Sequence, residues 1–266
     1  LGIPASGSGT LPAFLAVNNG TQPIIANLSV TPSFNAVTTC PGDIETFTIT
    51  ILPNPNVSVS PVTQTICSGD LSTTINMSGI ATSFIWDNDD PSIGLSATGN
   101  GNIPAFLATA TGSNTTSTIA VTPQYSLGNL TCPGTTQNVQ ITVVPTPEVQ
   151  PLQDLVFCNG DATNLIQILG NANALNWTSS NPSIGTAASG AGSISSFNVI
   201  NSTNSPISST ITVTPVNYFA GLTCSAPAED FSIIVNPTPT ILPVQDEVLC
   251  AQSNSPAFIF SGNANN

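Results

Sequence analysis

The chain repeats itself at a fixed step. Cys40, Cys132 and Cys224 are separated by 92 and 92 residues, and Cys67, Cys158 and Cys250 by 91 and 92. Pro53, Pro145 and Pro237 keep the same step inside "LPNP", "VPTP" and "NPTP". Trp86 returns as Trp177, and Phe14 as Phe106 and Phe197. The alternating trio Phe47, Ile49, Ile51 returns as Val139, Ile141, Val143 and again as Phe231, Ile233, Val235. A constant period of this size means one structural unit copied in tandem, each copy packing chiefly on itself and its neighbours. The repeats set the boundaries: 1–54 reads as the rear part of one unit, 55–145 and 146–237 as complete units, and 238–266 as the front part of a further one. Leu1-Gly2 aligns with Ile93-Gly94, and the final "SGNANN" with the "LGNANA" that starts at Leu169. The expectation is a segment of a longer array.

Within one unit the apolar residues alternate with polar ones, the period of a strand with one buried face. In 146–237 the reading is a split first strand (148–152 and 155–158), then 165–169 with Ile166 and Ile168 inward, and 175–178 carrying Trp177. A short strand follows at 184–188, then 195–200 with Phe197 and Val199 on one face, 209–214, and 231–235 to close the unit. Seven or so short strands in 92 residues, with a tryptophan on the third, predict an immunoglobulin-like two-sheet sandwich. The fold class is therefore all-β: tandem immunoglobulin-like sandwiches stacked pole to pole as an extended rod. Trp86 and Trp177 are read as core anchors.

Composition narrows function by exclusion. There is no lysine, arginine or histidine against 13 carboxylates, for a formal charge of -13. Nucleic-acid binding needs cationic side chains to displace counterions from phosphates, so no nucleic-acid partner is expected. Anionic membrane surfaces are excluded on the same ground, and no apolar run reaches the length of a membrane helix, so no membrane insertion is expected. An activated serine or cysteine normally has a His or Lys base beside it, so conventional hydrolase triads are impossible and the chain is read as no enzyme. No cofactor is expected.

Several elements together resemble a known repeat class. They are "TICSGD" (65–70), the tryptophan followed by "PSIG" (Trp86, 91–94), "GNGNIPAFLATATG" (99–112), "ITVTP" (211–215), a cysteine before the last strand, and the "NPTP" linker. As a set they look like the PKD-like, immunoglobulin-like repeats of very large Bacteroidota surface proteins, including gliding-motility adhesins exported by type IX secretion. The resemblance implies an extracellular, cell-surface location and a stalk role, with recognition of surface polysaccharide or substratum left to other domains. The partners it implies are neighbouring repeats of the same long chain. Carbohydrate binding by the repeats themselves, or self-association into a sheath or S-layer-like lattice, are the alternative functions.

The six cysteines point to an oxidising compartment. Two pairings stand. Within units, Cys67 would join Cys132 and Cys158 would join Cys224. In an immunoglobulin-like unit, however, the first of each pair ends a strand parallel to the last strand and the second precedes that last strand. A strand of about 8 residues separates them by roughly 26 Å, whereas bridged Cα atoms lie about 4.4 to 6.8 Å apart. Between units, Cys67 would join Cys224, and Cys40, Cys132, Cys158 and Cys250 would find partners outside the fragment.

Two further groups qualify as sites. "WDNDDPSIG" gathers Asp87, Asp89 and Asp90, oxygen donors of the kind that hold Ca²⁺, although the matching "WTSSNPSIG" has no carboxylate and reads as a plain turn. Asp70 and Asp161, in "SGD" and "NGD", read as turn residues. The stretch before the last strand, read as a loop, carries Phe34, Tyr125, Tyr218 and Phe219, suited to glycan stacking or to packing at a junction between units.

Overall fold

The computed structural model describes residues 2–264, which form two compact units: the chain to Ala110 with Asn114–Val143, and Thr111–Ser113 with the chain from Val144. In the first unit, β1 (Ile24–Val30) and β4 (Glu45–Ile51) pair antiparallel, with the small hairpin β2 (Ser33–Asn35) and β3 (Thr39–Pro41) between them in sequence. A complete sandwich follows: β5 (Ser58–Ser60), β6 (Thr63–Cys67), β7 (Asn76–Ser78), β8 (Ser83–Asn88), β9 (Thr98–Asn100), β10 (Thr115–Leu127), β11 (Leu130–Pro133) and β12 (Gln137–Val144). One layer has the order β6-β12-β10-β8-β9, with β11 folded back on β10. The other is the β5-β7 pair, extended by bridges Ile75↔Ile103 and Leu71↔Leu107. Every second residue over 117–123 of β10 and 139–143 of β12 is buried, so Ile119, Val121, Val139 and Ile141 close over Ile75, Ile93, Ile103 and Trp86 in one core.

The second unit rebuilds this arrangement from β13 (Leu155–Cys158), β14 (Ala174–Ser179), β15 (Ser189–Ala191), β16 (Ile207–Phe219), β17 (Leu222–Ser225) and β18 (Glu229–Asn236). The order is β13-β18-β16-β14-β15, with β17 on β16. β13 runs parallel to β18, from Leu155↔Ile233 to Cys158↔Asn236. Single bridges, Val149↔Gly170, Ala162↔Asn198 and Ile166↔Ile194, mark the opposite layer. Trp177, Ile184, Val199, Ile211, Val213, Phe231, Ile233 and Val235 form the core. Trp86 and Trp177 are only 4% and 6% exposed, so both are core anchors. The strand composition and two-layer order define an all-β, immunoglobulin-like sandwich in each unit.

Five strand expectations are corrected. Residues 148–152 and 165–169 form no strand and make only the single bridges Val149↔Gly170 and Ile166↔Ile194. The segment after Asn181 is a 3-10 turn, Pro182–Ile184, and the strand follows it at Ser189–Ala191. Pro182 sets the φ of a helical first position and Gly185, at φ 104°, ends the turn, a backbone state that only glycine enters freely. Residues 195–200 bury Val199 but make no ladder beyond isolated bridges. Finally, β16 does not stop at Thr214 but runs through Pro215 to Phe219. The proline is tolerated because β18 pairing ends at Val213↔Glu229 and β17 pairing begins at Val216↔Ser225, leaving no N–H demanded on that side. Pro123 occupies the same handover in β10, between Val121↔Gln137 and Gln124↔Pro133.

Candidate functional site

The continuation of β10 and β16 past their prolines turns the expected aromatic loop into a β-hairpin. Tyr125 lies across from Cys132, Phe34 across from Cys40, and Asn217 across from Cys224. Tyr218 pairs with Thr223 and Phe219 with Leu222 at the hairpin end. Phe34 is 74% and Tyr218 54% exposed, Phe219 is less so, and Tyr125 is half-buried. These side chains therefore sit on a rigid ladder.

Cysteine states differ by position. Cys67 and Cys224 are disulfide-bonded, whereas Cys40, Cys132, Cys158 and Cys250 are free thiols. The pairing within units would need Cys132 and Cys158 oxidised as well. In the second unit Cys158 is level with Asn236 at the end of β18, while Cys224 precedes Glu229 at its start. The eight residues of β18 hold the two sulfurs apart by roughly 26 Å of strand.

Two of the three carboxylates of "WDNDDPSIG" are taken up in structural hydrogen bonds. Asp89 Oδ1 accepts from the Thr118 N–H at 2.8 Å and the Ser117 hydroxyl at 2.8 Å. Asp90 Oδ1 accepts from the Ser92 N–H at 3.0 Å and caps the 3-10 turn. Asp87 is exposed on β8. Hydrogen bonding to Thr118 first, and to Ser117 second, holds the Asp89 carboxyl below the ordinary carboxylate range. The second unit keeps one of these contacts without charge, Ser180 Oγ accepting from the Thr210 N–H at 2.8 Å, whereas Ser209 Oγ there accepts from the Asn181 N–H at 3.1 Å. Among the described residues no group of three His, Cys, Asp or Glu is placed to hold a metal. Asp161 Oδ2 accepts from the Cys158 N–H at 2.8 Å, the turn role expected of it.

Asparagine carries roles that sequence reasoning missed. Asn201, 2% exposed, donates from Nδ2 to Ser205 O at 2.9 Å and Val235 O at 2.7 Å, while its Oδ1 accepts from the Thr203 N–H at 2.9 Å. Asn18 repeats the device, donating to Gln22 O at 2.8 Å and Ile51 O at 2.9 Å. Each one ties a loop to the last carbonyls of a closing strand, just before the proline linker. Asn217 donates to Pro145 O at 3.0 Å and fixes the linker to its own unit. The available signal was the matched spacing of "NNGTQ" at Asn18 and "NSTNS" at Asn201.

The second unit also has a cleft of about 420 Å³ lined by Leu152, Leu155, Phe157, Leu165 and Phe231, with the amides of Gln153, Asn164 and Gln167 among its polar groups.

No family model matches the chain, and no curated protein matches it in sequence. Among solved structures, Drosophila N-cadherin EC1-4 is 12% identical over 82% of this chain and 58% of its own, with a TM-score of 0.37. Human mucin-like protocadherin EC1-2 is 10% identical over 70% of this chain and 99% of its own, at 0.35. Mouse protocadherin-24 EC1-3 is 12% identical over 80% of each, at 0.30. The class of the modules rests on their own strand order.

Proposed function

We propose that this chain is a non-enzymatic stalk segment of a long repetitive adhesin or surface filament, carried outside a bacterial cell and projecting a distal binding region for adhesion or gliding. The observation that carries the reading is the step of about 92 residues, which produces the same sandwich core twice. Tandem copies of a self-contained module make length, which is what a spacer needs. The units take the boundaries 55–145 and 146–237, flanked by parts of further units.

In this reading Cys67 and Cys224 are joined to each other as a staple between successive modules, and the free cysteines at the same repeat positions take partners in further modules. The oxidation of Cys67 and Cys224 supports this. The proline linkers narrow the hinge in the same sense. Non-reducing peptide mapping after cleavage at aspartate tests it: one disulfide peptide pair containing Cys67 and Cys224 is expected. Recovery of Cys67 with Cys132 would refute the staple. Small-angle scattering of a multi-repeat chain tests the stalk itself, and a maximum dimension that fails to grow with repeat number would sink it.

A further inference from the structure

The sheet of the second unit ends on β15 (Ser189–Ala191), the last strand in the order β13-β18-β16-β14-β15. Gly192 N–H bonds Leu175 O at 2.8 Å, Ser179 N–H bonds Ala188 O at 2.9 Å, and Trp177 is level with Gly190. Antiparallel alternation therefore turns the N–H and C=O of Ser189 and Ala191 away from β14. Both residues are exposed, and among the described residues nothing pairs with those groups. Such an edge is normally guarded by charge, by proline or by a bulge. Here no proline falls between Pro182 and Pro206, and no charged residue between Asp161 and Glu229, so β14, β15, β16 and β17 are all neutral. The carboxylates of 146–237 lie elsewhere. Glu148 stands beside Val149 in the opposite layer, Asp154 accepts from the Ser232 N–H of β18, Asp161 accepts from the Cys158 N–H of β13, and Glu229 and Asp230 open β18. The first unit is guarded where the second is not. Its end strand β9 turns Thr98 and Asn100 outward in the same way, but Asp87 lies across from Thr98, and Asp89 and Asp90 follow it.

We infer that β15 is where a second copy of this chain docks, edge to edge, so that the sheet continues from β14-β15 of one copy into β15-β14 of the other. A strand edge complements itself when it meets itself antiparallel. With a two-fold axis at Gly190, the N–H and C=O of Ser189 face the C=O and N–H of Ala191 in the second copy, and the reverse. The neutrality of the edge selects this occupant. A cationic partner is drawn to carboxylates, which lie beside β13 and β18 and not at β15. A second copy brings a formal charge of -13, and β15 lets it approach with the carboxylates of both sheets held back. β18 stands three strands in from the edge, roughly 14 Å at about 4.8 Å per strand. That exceeds the screening length of roughly 8 Å at physiological salt, so little repulsion reaches the contact. A ladder as short as β15 makes a weak contact, on the scale of about millimolar for one pair of modules. Where modules with such an edge recur along a chain, each further contact forms at the effective concentration set by the first, which aligns chains side by side.

The test is amide chemical-shift mapping and sedimentation equilibrium of the whole chain, its free thiols alkylated so that no cross-link forms. Concentration is raised from about 0.02 to about 1 mM in about 0.15 M sodium chloride. Shifts that grow with concentration and centre on Ser189 to Gly192 are expected, with a mass rising from 27.0 kDa toward twice that value. Ser189→Glu places a carboxylate on each edge, and Ala191→Pro removes an outward donor. Each should weaken association by about tenfold or more, and either serves if the other does not fold. Thr98→Glu, at the matching place in the first unit, should leave association unchanged. A chain that stays monomeric throughout, association undiminished in both variants, or shifts centred on another surface would each overturn the inference. Binding of a neutral extended peptide at Ser189 without self-association would make the edge a peptide site and overturn it too. The stalk reading stands or falls separately, by scattering and by disulfide mapping.

Discussion

At the scale of single residues, the two tryptophans are held by glycines that look dispensable in the sequence. Gly99 faces Trp86 across the β8-β9 pair and Gly190 faces Trp177 across β14-β15. A Cβ built on Gly190 would lie 2.4 Å from Trp177 Cζ2, and one on Gly99 would lie 2.1 Å from Trp86 Cζ2. The indole lies flat over a backbone that must stay bare. Gly190→Ala is expected to destabilise the second unit by about 1–3 kcal/mol, the cost of overpacking a filled core, as read from urea unfolding followed by Trp fluorescence. Asp89 gives a pH prediction. Its native carboxyl is held below the ordinary range, so its contribution is present above the unfolded value of about 3.9. That contribution fades as pH falls from there through the lower native value. The amides of Ser117 and Thr118 should gain hydrogen exchange in that window, and an Asp89→Asn chain should lose this step. A step that survives in the variant would belong to another group.

At the scale of elements, what the sequence disclosed and what it hid follow from different physics. Alternation revealed β12, β14, β18 and the buried trios of β12 and β18, because one-sided burial imprints period two on the residues themselves. Pro123 and Pro215 concealed the hairpins β10-β11 and β16-β17. Proline is a sound stop signal in a sheet unless two partners exchange places opposite it, and that exchange is decided by the neighbouring strands. The turn at "PSIG" was hidden for a related reason: Ile93 and Ile184 are fully buried, and burial without a long period does not distinguish a short strand from a tight turn. The asparagine clamps give the prediction at this scale. Asn201→Ala leaves Val235 O buried without its donor, which should cost about 1–3 kcal/mol. The loss should appear as early exchange of the β13-β18 amides, whereas an exposed asparagine such as Asn164 changed to Ala should leave stability within about 0.5 kcal/mol.

At the scale of the whole molecule, a chain with 13 carboxylates and no cationic side chain has only like charges to bring together. Cohesion comes from apolar burial and from neutral hydrogen bonds, and the net charge opposes compaction. Added sodium chloride should therefore raise the thermal midpoint between about 0.02 and 0.2 M, as the screening length shrinks toward the spacing of surface charges; a fall would mean that net repulsion does not oppose folding. The same absence removes every cleavage site of a protease that cuts after lysine or arginine. The parallel alignment of β13 with β18 has a mechanical meaning. Tension applied along the chain first meets the bonds of Gln150 to Leu169 and Asn171 to Glu148, and beyond them it pulls β13 and β18 past one another lengthwise. Their shared bonds must then yield as a group, where an antiparallel hairpin would unzip one rung at a time.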